Sequence, residues 1–219
     1  MSRLKRVLCI VIAAMAAELT LGGSAAFADA PLRVEFETRT LVVRGVNPHS
    51  DVVVFSLHRQ RIDFQNARTV MWRLTGTESK GGEVRIPTPS DIDPDRLWII
   101  VDQATGRYVI TKTAQSAVVQ RFAPGRIKKE SDARGDVLVI PLQAAFLLVV
   151  HPGDDAWLTP IADGGPADDD DVANNGIRIR PEKLDDFRGK GKKADKFQKG
   201  DVAIAIELGT MRVMEEQLQ

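Results

Sequence analysis

Residues 97–109 read LWIIVDQATGRYV, and residues 202–214 read VAIAIELGTMRVM. They align without a gap at a shift of 105, which sets Asp102 on Glu207, Thr105 on Thr210 and Arg107 on Arg212. Each stretch is a short, largely β-branched run, a polar turn and a second run. That is the signature of two strands joined by a tight connection. A chain that carries such a unit twice predicts one fold built twice.

Working outward, VRI from Val84 matches IRI from Ile177 at a shift of 93. VNPHSDVVVFSL from Val46 matches VHPGDDAWLTPI from Val150 at a shift of 104. The unequal shifts place extra residues between Leu57 and Val84 in the first half and between Ile177 and Val202 in the second. Further apolar runs are LVVRGV from Leu41, DVLVIPL from Asp136 and AFLLVV from Ala145. Between them stand turn signals such as Asn47-Pro48, Gly81-Gly82, Pro152-Gly153 and Gly164-Gly165. Helical periodicity is nearly absent, apart from a short turn expected near Ala114 to Gln120.

An all-β chain follows. A period of about 100 residues with evenly spaced short strands predicts two tandem repeats resembling immunoglobulin-like β-sandwiches. The repeats are expected at residues 29–115 and 116–219. Neither the cysteine pair nor the central tryptophan of that family is present, so the resemblance is one of architecture. The alternative is one larger two-sheet β-sandwich in which each repeat supplies a sheet.

The start of the chain predicts its compartment. Arg3, Lys5 and Arg6 precede the apolar run Val7 to Ala17, and Ala26-Phe27-Ala28 offers small residues for cleavage. This pattern predicts a secretory signal peptide, residues 1–28, and a secreted or periplasmic protein. Cys9 leaves with the leader, so the expected mature chain has no cysteine. A disulfide framework, thiol catalysis and a cysteine-ligated metal are thereby excluded. Losing three bases and Glu18 turns 30 bases and 30 acids into a net charge of about −2. That balance offers no broad attraction to nucleic acid or anionic lipid. After cleavage no segment approaches the length of a transmembrane span.

Chemistry-bearing motifs are sparse. His49, His58 and His151 show no zinc spacing, and no nucleophile elbow or phosphate-cradling loop occurs. Trp98 reads as core, while Trp72 alternates with Arg73 and Trp157 follows an acidic turn, both read as core or edge packing against the alternative of an exposed stacking face. Only 5% of residues are aromatic, too few for a clustered sugar-binding face. The Lys/Gly-rich stretch 183–201 carries both lysines and aspartates and reads as a solvated loop.

One stretch stands out: DGGPADDDDVANNG, residues 163–176. Calcium takes six to eight oxygen ligands, which short aspartate-rich turns supply. ADDDDVANNG resembles the thrombospondin type 3 calcium loop, D-x-D-x-D-G-V-x-D. With Val172 at the aliphatic position, the resemblance makes Asp168, Asp170 and Asn174 the calcium ligands. Pro166 occupies the first ligand position and Asp171 replaces the glycine. An EF-hand register fails at Ala173.

The sequence therefore favours a non-catalytic binding or structural module whose partner is a protein or an extracellular polymer. A calcium-dependent adhesion or polysaccharide-binding module is the first alternative. A hydrolase with its site at the repeat junction is the second, and it requires a histidine beside a serine or carboxylate in a cleft.

Overall fold

The computed structural model describes residues 31–61, 67–78, 81–88, 94–114, 117–151, 156–163, 176–186 and 196–219. The expected leader lies outside them. Among the described residues the chain is strands, with one 3-10 turn at Pro181–Lys183 and no α-helix. The turn expected near Ala114 is a bend in which the Ala117 amide donates to the Ala114 carbonyl at 2.8 Å.

In the first half, β1 (Arg33–Glu37), β2 (Thr40–Arg44) and β5 (Glu83–Pro87) form an antiparallel sheet in the order β1-β2-β5. A second sheet holds β3 (Asp51–Arg61), β4 (Ala67–Thr77), β6 (Leu97–Asp102) and β7 (Arg107–Lys112), ordered β4-β3-β6-β7. The second half repeats this order. Its β8 (Lys128–Asp132), β9 (Gly135–Ile140) and β12 (Ile177–Ile179) form one sheet. The other holds β10 (Ala144–Val150), β11 (Ala156–Asp163), β14 (Val202–Glu207) and β15 (Val213–Gln217). The two-residue β13 (Asp185–Asp186) joins its edge beside β11. Each half thus supplies two sheets, rather than the one sheet apiece of the larger-sandwich alternative.

Side-chain alternation distributes these strands over three cores. On β3 and β6, Val52, Val54, Trp98 and Ile100 face Leu41, Val43, Val84 and Ile86 of the outer sheet. On β10 and β14, Leu147, Val149, Ala203 and Ala205 face Leu138, Ile140, Ile177 and Ile179 of the other outer sheet. The third core joins the halves. Val53, Phe55, Leu57, Leu97, Ile99 and Val101 meet Phe146, Leu148, Val150, Ile204 and Ile206. The result is a four-layer stack, outer sheet, inner sheet, inner sheet, outer sheet. A strand buried on both faces is apolar at nearly every position, which is why LWIIV and AFLLVV run without alternation.

The outer sheets alternate instead, and their solvent faces are charged. Arg44 bridges Glu35 and Glu83, while Arg85 bridges Glu37 and Glu83. Hydrogen bonds from Arg44 and then Arg85 hold the Glu83 carboxyl below its usual range. In the second half, Arg180 and then the Arg134 amide lower the Asp132 carboxyl from 3.8 to about 2.

The turns after β6 and β14 confirm the gapless alignment bond by bond. Thr105 Oγ1 donates to the Asp102 carboxylate, and Thr210 Oγ1 to the Glu207 carboxylate. The Arg107 and Arg212 amides each donate to the preceding threonine hydroxyl at 3.3 Å. Gly106 has φ +68°, and Met211 stands at φ +59° in the same place. Glycine tolerates that conformation freely, whereas methionine is strained there.

Strand pairing changes one part of the repeat register. Val52 faces Asp102 and Leu57 faces Leu97, whereas Ala145 faces Glu207 and Val150 faces Val202. With β6 on β14, β3 falls on β10 and not on β11. The match of VNPHSD to VHPGDD therefore joins non-equivalent segments. Val, Pro and Asp recur there because strand ends and turns share composition, not because the positions correspond.

Candidate functional site

Among the described residues three carboxylates are buried, Glu78, Asp102 and Asp201, and each stands beside a backbone turn. At the end of β6, Asp102 is fully buried and accepts four hydrogen bonds. They come from the Asn47 amide (3.1 Å), the Ser50 hydroxyl, Thr105 Oγ1 (3.0 Å) and Arg107 Nη2 (2.7 Å). Arg107 Nη2 also donates to the Gly45 carbonyl at 2.7 Å. This set ties the β2–β3 connection to the β6–β7 turn. A carboxylate with this many donors is a closed structural unit, with its acceptor positions already engaged.

Glu78 plays a similar part after β4. It is buried, and its carboxylate accepts the Gly82 amide at 2.9 Å and the His49 amide at 2.7 Å. Because β4 falls on β11 and β5 on β12, this turn is the counterpart of the acidic stretch. In the first half Glu78 is the one carboxylate of the connection between β4 and β5. By strand order the acidic stretch 163–176 stands where the first half has the Glu78 connection.

The candidate calcium ligands Asp168, Asp170 and Asn174 lie outside the described residues. Asp163, where β11 ends, and Gly176, just before β12, bracket them. Among the described residues no group of three or more His, Cys, Asp or Glu side chains is placed to hold a metal ion.

The histidines separate. His49 is exposed in a turn at φ +60°, and His58 is half-buried on β3. His151 follows β10, with its Nδ1 2.5 Å from Asp201 Oδ1. Asp201 is buried, and its other oxygen accepts the Gln198 amide at 2.7 Å. The Leu218 amide donates to the Asp201 carbonyl at 2.8 Å. The pair therefore joins three segments: the end of β10, the turn before β14 and the residue after β15. A carboxylate on Nδ1 is the orienting half of a catalytic dyad. Among the described residues, however, no serine, threonine or cysteine hydrogen-bonds the far nitrogen of this imidazole. No partner for His151 was legible in the sequence; the structure pairs it with Asp201. The readable signal was Asp201 standing just before an apolar run, where a strand-end carboxylate can cap a turn.

Where the halves meet at their edges, Tyr108 on β7 donates to Glu215 on β15 at 3.0 Å, and Arg121 pairs with Glu215 at 2.7 Å. Burial, and then the adjacent Glu215 charge, push the Tyr108 hydroxyl above its ordinary range, so it stays a donor. The segment before β8 runs along β15, with the Phe122 amide on the Val213 carbonyl and the Val213 amide on the Gln120 carbonyl, each 2.9 Å. Phe122 sits under the Arg212 guanidinium, 3.7 Å from ring centroid to Cζ.

A groove of about 340 Å³ opens at the side of the second half, between β8 and the end of β15. Ile127 and Leu218 line it, with Lys128, Lys129, Glu130 and Glu216 around them. Among the described residues no helix is long and apolar enough to cross a membrane. No protein-family model, no curated protein and no solved structure matches this chain.

Proposed function

We propose that this chain is a secreted or periplasmic, non-catalytic binding or structural module, built from two tandem immunoglobulin-like sandwiches stacked through their inner sheets. One observation carries the reading: Glu78, Asp102 and Asp201, the buried carboxylates, all accept backbone amides that close turns. Groups held this way stabilise a scaffold, whereas a general base needs a free lone pair aimed at substrate. The His151–Asp201 pair fits the same reading, as a tie between strand ends. The test is turnover of chromogenic ester, phosphate, glycoside and peptide substrates by the purified chain and by His151→Ala. No turnover by either is expected. Hydrolysis that His151→Ala abolishes in a still-folded protein would overturn the reading and restore the hydrolase.

Calcium is the second reading, favoured by the position of the acidic stretch at a sandwich end where the first half uses Glu78. In this reading Asp168, Asp170 and Asn174 hold a structural calcium ion with the weak affinity of extracellular modules. At a calcium concentration ten times the dissociation constant, the ion contributes about 1.4 kcal/mol. For a chain of this size that raises the unfolding midpoint by roughly 3–6 °C. The melt is run with millimolar calcium and with chelator, and with Asp168→Asn/Asp170→Asn as control. An unchanged midpoint removes calcium from the account.

A further inference from the structure

The two halves serve as internal controls for each other, and one place distinguishes them. Phe36 faces Leu41 on β2, and Lys129 faces Leu138 on β9, so Lys129 occupies the Phe36 position. By the gapless alignment Ala203 occupies the Trp98 position and Leu218 the Thr113 position. In the first half these residues close the side of the sandwich. The Phe36 and Trp98 rings lie 5.3 Å apart, and Trp98 Nε1 donates to Thr113 Oγ1 at 2.8 Å. In the second half no ring stands at either position, and the groove of about 340 Å³ lies alongside.

Its walls are two sheet edges. Among the described residues β8 pairs only with β9, so one row of its backbone groups has no described strand beside it. Ile127 and Leu218, each 3% exposed, give the groove an apolar floor. Its two lining carboxylates are engaged: Glu130 with Arg178 at 3.2 Å, and Glu216 with the Gly125 amide at 2.5 Å. Lys128 and Lys129 make no side-chain hydrogen bond or ion pair with the described residues. Among the described residues the groove therefore combines an open strand edge, an apolar floor and two ammonium groups without an ion-pair partner.

We propose that this groove docks an extended acidic peptide segment of a partner protein, added as a strand along β8. The proposal rests on the binding-module reading and names its partner class. Main-chain hydrogen bonds to a sheet edge supply affinity, and alternate side chains supply specificity. Neighbouring residues of β8 point to opposite faces, so apolar side chains of the segment meet Ile127 and Leu218 on one face and acidic ones reach Lys128 on the other. An acidic strand meets that charge favourably.

The test follows backbone amide shifts of the isotope-labelled chain as the synthetic peptide acetyl-Glu-Val-Glu-Val-Glu-Val-amide is added. Saturable shifts confined to β8, β15 and the Gly125 turn are expected at millimolar peptide or below. The same peptide with lysine for glutamate should leave those amides unmoved. Lys128→Glu/Lys129→Glu should weaken binding by at least about tenfold with the rest of the spectrum preserved. Lys129→Phe, which restores the first-half residue, should close the groove and block the peptide. Unmoved β8 and β15 amides, shifts elsewhere, or equal binding of both peptides would each overturn the proposal. The module reading survives that failure, since it falls only on His151-dependent turnover.

Discussion

Phe55→Ala should lower the stability of the whole chain by about 3–5 kcal/mol, the range for deleting a fully buried phenylalanine. The midpoint of thermal unfolding then drops by roughly 6–20 °C. Phe55 belongs to β3 and Phe146 to β10, and their rings meet at 5.5 Å with planes inclined at 51°. Neither ring is exposed. Phe146→Ala should have an effect of similar size, and the double variant should lose less than the two single losses combined. A coupling of about 0.5–1.5 kcal/mol is expected from the aromatic contact alone. Unfolding in urea followed by tryptophan fluorescence and by far-ultraviolet circular dichroism supplies the measurement. Because the Phe55–Phe146 core is shared, one transition should be seen by both probes, and each single variant should shift all of it. Two resolved transitions, with Phe55→Ala moving only one, would show that the halves unfold apart and that the shared core couples them weakly.

Asp102→Ala should be nearly as damaging, at about 3–5 kcal/mol, by a different route. Removing one partner of a buried ion pair leaves the other charged group unmatched in a low-dielectric site. Here Arg107, the Asn47 amide and the Ser50 and Thr105 hydroxyls all lose their acceptor. Glu207 is the internal control. It occupies the same turn in the second half and accepts the Thr210 hydroxyl, but it is only half-buried. Glu207→Ala is therefore expected to cost less than about 1 kcal/mol, the range for one partly solvated hydrogen bond. Urea midpoints of the two variants, at matched slopes, decide the point. Equal losses would mean that the turn, and not its burial, sets the energy.

Much of this fold was legible along the chain. The β-branched runs became strands, and the pairs Asp102/Glu207, Thr105/Thr210 and Arg107/Arg212 became the same turn. A tight turn constrains three or four adjacent residues at once, so its signature survives in a short window. The β3–β10 equivalence was not legible. VVVFSL and AFLLVV share no residue-by-residue signature, because apolar side chains substitute for one another at nearly constant volume. A stronger but misleading match, Val-x-Pro with a following Asp, drew the alignment to the wrong strand.

The candidate sites divide along the same line. The acidic stretch announced itself through composition, and its position among the strands relates it to Glu78. The His151–Asp201 pair did not, since its members stand fifty residues apart and meet only because β10 lies beside β14. The groove was still less visible. Nothing in KKESD marks an open edge until Phe36 and Trp98 are seen closing the equivalent place in the first half.

By itself the sequence determined that the chain is all-β and where most strands run. Backbone preference, turn chemistry and hydrophobic pattern act over a few residues, and all three pointed the same way. Only the tertiary structure decided that the inner sheets lie back to back and share a third core. Alternation reveals one buried face by contrast with one wet face; a strand buried on both sides has no contrast to read. Which apolar surface meets which is then decided by packing among residues distant in sequence, and Phe55 finds Phe146 only in the folded chain.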